Sequence, residues 1–162
     1  MDYYEKTFYI LILFLLILVL IISMFYKSNP TISKTNYKSL NKNSQISDKL
    51  NLQKKTLIVY FSTDCGNCSM ILNEILNSNK LKNELNILLI AAEKDKNKVK
   101  SFLKHNKLEK LNTLVYLDTE NNFIKDFGLG FRIVVSYPQI LYFNEKKEFI
   151  KKITELSEIN KI

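Results

Sequence analysis

Residues 56–76, TLIVYFSTDCGNCSMILNEIL, restrict the possible folds more than any other stretch. Residues 57–61 are apolar and rich in β-branched and aromatic side chains, the pattern of a buried strand. Beyond them Ile71, Leu72, Ile75 and Leu76 recur at helical spacing, with no Pro or Gly to break the run. The two cysteines of the chain, Cys65 and Cys68, fall at the junction. Cys65 is therefore expected at a strand-to-helix turn, near the first turn of a helix, and Cys68 one turn further in.

That position has chemical consequences. The unpaired amides and the positive end of the helix dipole stabilise an anion there. A thiolate is such an anion, and it is the nucleophilic form of cysteine. Spacing of i, i+3 puts both sulfurs on one side of the turn, so the pair can cycle between dithiol and disulfide. The bland alternative is a pair of inert thiols or a static disulfide. Zinc is poorly supported, since a structural site takes four ligands. Two Cys and the lone His105, on a Lys-rich helix, do not supply them. No metal or cofactor is expected, and His105 reads as a solvated helix residue without a role.

Further elements follow in order. Residues 86–92 read as a second buried strand and 95–107 as an amphipathic surface helix, with Val99, Phe102 and Leu103 on one face. A third strand is expected within 113–117, and a short helix over 121–127 closed by Gly128. Two strands, 138–144 and 148–153, flank a turn at 145–147, and 154–161 closes the chain as a helix.

A strand, Cys-x-x-Cys and a helix, followed by βα and ββ elements, resemble the thioredoxin-like superfamily. The nearest likeness is to the membrane-anchored bacterial thiol–disulfide oxidoreductases of the TlpA/ResA type. The resemblance covers Thr56 to the C-terminus, about two-thirds of the chain. It implies an α/β thioredoxin-like fold, a central mixed sheet flanked by helices. It also implies Cys65 as nucleophile and Cys68 as the resolving thiol. Tyr137-Pro138 matches the family's cis-proline at the start of the strand facing the cysteines. By the resemblance, Pro138 sits against the disulfide and the Tyr137 backbone binds a substrate's extended chain.

Three departures from the family pattern stand out. Asp64 replaces the Trp before the first cysteine. It is a candidate helix cap, but its carboxylate beside the sulfur opposes thiolate formation. Gly66-Asn67 between the cysteines carries no positive group, which tilts the pair toward a reductant. Val59 stands where thioredoxins keep a buried Asp. Ser62-x-x-Cys65 resembles a peroxidatic site, but Ile58 stands in place of that family's Pro and the only Arg is Arg132.

Residues 8–26 carry no charge, and Ser23 is their one clearly polar residue. As a helix they span about 28 Å, near the hydrocarbon thickness of a bilayer. Phe8, Tyr9, Phe25 and Tyr26 suit the two interfaces. The expected organisation is a tail over 1–7, a transmembrane anchor over 8–26, a polar Lys-rich linker over 27–55 and a thioredoxin-like domain over 56–162. Within the linker, 46–52 has the character of a short helix or strand.

The net charge of +8 concentrates in the linker, where seven Lys face only Asp48. A single Arg and the absence of a basic–aromatic motif argue against nucleic acid. One Lys precedes the anchor and four follow closely (Lys27, Lys34, Lys38, Lys42), so the positive-inside rule points the domain toward the cytoplasm. The resembling reductases face outward, and an extracytoplasmic domain on a single-pass anchor in the cell membrane is the expectation. The function expected is reduction of disulfides in envelope proteins, supplied by a transmembrane thiol donor. A non-catalytic binding module and a thiol peroxidase are the alternatives.

Overall fold

The computed structural model describes residues 3–25, 32, 37–40, 53–127, 135–159 and 161–162. Its centre is strand β2 (Lys55–Phe61), buried from Thr56 onward. To one side lie β3 (Leu85–Ala91) and then β4 (Val115–Leu117), both parallel to their neighbour. To the other lie β5 (Gln139–Phe143) and β6 (Phe149–Ile153), each antiparallel to its neighbour. A two-residue strand, β1 (Lys38–Ser39), pairs antiparallel with β4. The sheet is mixed and six-stranded, in the order β1-β4-β3-β2-β5-β6.

The crossovers from β2 to β3 and from β3 to β4 step the same way along the sheet. Right-handed crossovers then put their helices on one face. These are α2 (Gly66–Asn77) with α3 (Asn79–Glu84), and α4 (Lys96–His105). Cys68, Leu72 and Ile75 of α2 and Val99 and Leu103 of α4 join Leu57, Val59 and Phe61 in one core cluster. The alternate residues of β2, Ile58 and Tyr60, point the other way. They pack with Leu88, Ile90 and Tyr116, and with Phe123 and Phe127 from the short helix α5 (Phe123–Asp126) and its end. Helix α6 (Leu156–Ile159) closes the chain.

The thioredoxin-like α/β fold expected from the sequence is the one observed, with differences of detail. The Cys-x-x-Cys helix stops at Asn77, and Ser78 restarts the chain as α3 by accepting the Leu81 amide on its Oγ at 3.2 Å. The third strand is shorter than expected, because Glu109–Leu114 is wound as a 3-10 turn. Within the stretch read as a polar linker, Tyr37 and Leu40 are buried on opposite faces of the sheet beside β1. The reading of 46–52, the Gly128 cap and Arg132 lie outside the described residues.

The N-terminal helix α1 runs Tyr3–Phe25, and its described side chains, Phe8 to Leu20, are 42% to 67% exposed. Among the described residues no helix is long and apolar enough to cross a membrane, the described side chains of α1 making up only part of the apolar run.

Leu72 shows how α2 is held. It is fully buried between α2 and the sheet. Leu72→Ala should lower the unfolding free energy by about 2–5 kcal/mol, read from the urea midpoint. A loss well below ~1 kcal/mol would mean that α2 is not packed there.

Candidate thiol–disulfide site

Strand β2 delivers the chain to a tight turn at Ser62 to Asp64, closed by the Cys65 amide donating to the Ser62 carbonyl at 3.3 Å. Cys65 is the N-cap residue of α2, with extended backbone (φ −94°, ψ 109°), and the Cys68 amide donates to its carbonyl at 3.1 Å. The two cysteines are joined in a disulfide, with S–S 2.16 Å and Cα–Cα 5.4 Å. The sulfurs differ in access. Cys68 is fully buried in the core cluster, whereas Cys65 is partly exposed at its edge. An N-cap side chain is the one that faces the free amides of the first turn, so a reduced Cys65 would hold its thiolate there.

Asp64 does not cap the helix, contrary to expectation. The cap must be the last residue before helical dihedrals begin, and that is Cys65; among the described residues no side chain caps α2. The Asp64 carboxylate is 76% exposed and receives the Lys98 ammonium at 2.8 Å. Lys98 also reaches Glu93 at 3.2 Å, and the Thr63 hydroxyl donates to the same Glu93 oxygen at 2.5 Å. The hydrogen bond to Asp64, then that to Glu93, raises the Lys98 pKa.

An open groove of about 440 Å³ adjoins the disulfide. Thr63, Asp64, Cys65 and Gly66 line it from the cysteine turn, and Lys98 and His105 from α4. From the sequence, His105 reads as a solvated helix residue without a role. It is exposed on α4, yet shares the groove with Cys65. No sequence signal could reveal this, because it depends on α4 packing beside α2.

The Tyr137–Pro138 peptide bond is cis, as the resemblance implies. Gln139 pairs with Tyr60, so Pro138 enters the sheet beside the end of β2 from which the cysteine turn departs. Tyr137 packs against the same cluster as Cys65, and its ring lies 5.4 Å from that of Tyr60. The Gln139 side-chain amide donates to the Ser136 carbonyl and, at 2.9 Å, to its hydroxyl, pinning the approach to β5.

Val59 is buried and apolar, so no carboxylate lies beneath the disulfide at that strand position. A buried carboxylate does exist, on the other face. Asp118 accepts from the Tyr60 hydroxyl at 3.0 Å and from the amides of Asn122 and Phe123 at 2.8 and 3.1 Å. Burial first, then the Asp118 charge, pushes the Tyr60 hydroxyl pKa well up, so it stays a donor. The sheet separates this group from Cys68, and its three donors give it a structural role.

Residues 27–160 match the Redoxin family. The chain belongs to this family. Among solved structures, it is similar to the thioredoxin domain of a thiol-disulfide oxidoreductase from Bacteroides vulgatus (TM-score 0.60, 14% identity, covering 83% of this chain and 98% of that one). It is similar to a thiol:disulfide interchange protein from a Bacteroides species (TM-score 0.60, 14% identity, 83% and 90%). A secreted disulfide oxidoreductase from Mycobacterium tuberculosis is also similar (TM-score 0.57, 12% identity, 77% and 90%). At such identities the likeness is one of fold. No curated protein matches the sequence. Redoxin membership, with the cysteine pair bonded at the head of α2, makes this chain an oxidoreductase of the thiol–disulfide class.

Unequal access to the two sulfurs has a direct readout. After reduction, limiting iodoacetamide should modify Cys65 at least about ten-fold faster than Cys68, scored by peptide mass spectrometry. Equal or reversed labelling would overturn the assignment of the accessible sulfur.

Proposed function

We propose that the protein is a membrane-tethered reductant of disulfides in envelope proteins. The carrying observation is the asymmetric pair: Cys65 partly exposed at the N-cap of α2, Cys68 buried one turn behind it. In the reduced state the Cys65 thiolate attacks one sulfur of a substrate disulfide. A mixed disulfide forms, and the first substrate sulfur leaves as a thiolate that takes a proton from solvent. The deprotonated Cys68 sulfur then attacks Cys65. The second substrate sulfur is released, its thiolate protonated in turn, and the Cys65–Cys68 disulfide closes. Two electrons pass to the substrate, and a transmembrane dithiol donor returns the pair to its reduced form. Tyr137 and Pro138 form the docking edge, where the backbone before β5 can pair with an extended substrate segment.

The tether is supported by the uncharged run 8–26, by the helical conformation of Tyr3–Phe25 and by the apolar side chains that α1 exposes. A bilayer covers such a surface. An outward-facing domain is the reading that places the enzyme where disulfides form and persist. The absence of a charged side chain in Gly66-Asn67 favours a reducing pair, since nothing there stabilises the thiolate beyond the helix end.

The decisive experiment uses the full chain in membranes. Cys68→Ser should accumulate mixed disulfides with envelope proteins through Cys65, and Cys65→Ser should accumulate none. The wild-type chain should speed insulin reduction by dithiothreitol. A chain that traps nothing, and whose disulfide resists exchange with dithiothreitol, would instead be a non-catalytic binding module stapled by its cysteines.

A further inference from the structure

Cys65 follows directly on a carboxylate. Uncompensated, the Asp64 charge disfavours a second anion on the adjacent residue and pushes the thiol pKa up. The fold answers this from a distance. Lys98, in the first turn of α4, brings its ammonium to 2.8 Å from the Asp64 carboxylate. Glu93, 3.2 Å from the same ammonium and bonded to Thr63, holds the lysine at the cysteine turn. Asp64, Cys65 and Lys98 line one groove.

We propose that Lys98 is a positioning residue for Cys65: its ammonium holds and neutralises the Asp64 carboxylate, so that the neighbouring thiol ionises at neutral pH. The inference rests on the oxidoreductase reading, in which Cys65 reacts as a thiolate. Among the described residues, two further titratable groups face Cys65's surroundings from other elements. His105 faces the groove from the far end of α4, and Tyr137 packs on the same cluster from the approach to β5. Glu93 is engaged by Lys98 and Thr63. Losing Lys98 removes one positive charge and leaves the Asp64 charge uncompensated, a net change of one unit that disfavours the thiolate. A unit charge several ångströms away through water alters an ionisation equilibrium about three-fold, so the thiolate fraction should fall about three-fold.

The test follows the rate of Cys65 alkylation by iodoacetamide against pH, on the reduced full-length chain in detergent. Lys98→Met should slow alkylation at pH 7 about three-fold and move the titration midpoint upward. Lys98→Arg should keep the wild-type midpoint. Asp64→Asn combined with Lys98→Met should recover most of the rate, because the bared carboxylate is gone. A purely structural role would not produce that recovery. The pair is solvent-exposed, 43% and 76%, so every variant should fold, checked by an unchanged thermal midpoint. A wild-type midpoint in Lys98→Met, or a double variant as slow as the single one, overturns the proposal. The readout is independent of turnover. Should the wild-type chain fail to reduce insulin while the Lys98→Met midpoint still shifts, the oxidoreductase reading falls and the role of Lys98 stands.

Discussion

Strand β2 bonds along its length to β3 on one side and β5 on the other, and both of its faces are covered by packed side chains. A strand held in four directions has no freedom in register, since a slip of one residue would exchange its two buried faces. Phe61 is the last residue of this central strand, and the cysteine turn leaves from that point. Helix α2 is fixed in turn by Cys68, Leu72 and Ile75, all fully buried against the same face. Leu72 and Ile75 each contribute roughly 1.5–3 kcal/mol on burial. The reactive pair is positioned by the core.

The same packing makes the two sulfurs unequal. Cys68 belongs to the buried stripe of α2, whereas Cys65, three residues earlier at the cap, lies at the stripe's end and meets solvent. One sulfur is thus open to a substrate and the other waits behind it. The two faces of the sheet also divide the polar chemistry. The groove, with Asp64, Lys98 and His105, opens at the cysteine turn. The buried hydroxyl–carboxylate contact, Tyr60 to Asp118, stays on the aromatic face. There its hydrogen bonds tie β2 to β4 and α5.

The charges around Cys65 depend on residues far apart in sequence. Asp64 was legible as a neighbour of the sulfur and as an obstacle to its ionisation. Its partner was not, because Lys98 is one of many lysines in a Lys-rich helix. The tight turn at Ser62 to Asp64 carries Asp64 outward, and the crossover from β3 brings the first turn of α4 alongside. Asp64 therefore ends in an ion pair, and Cys65 itself takes the cap position. Strand β1 is not legible in the sequence for a related reason. Two residues carry no periodicity, and Tyr37 and Leu40 are isolated apolar side chains in a polar stretch until β4 offers them an edge.

Alone, the sequence determined what depends on near neighbours along the chain. The apolar run before the cysteines, the i, i+3 spacing of the pair, the face of α4 and the Tyr137-Pro138 step are local patterns, and strand and helix periodicities translate them directly. Tertiary structure alone decided that Lys98 meets Asp64, that His105 shares a groove with Cys65 and that residues 37–40 join the sheet. Those outcomes depend on how crossovers stack helices on a sheet. They bring together side chains tens of residues apart, and no spacing rule along the chain encodes such distances.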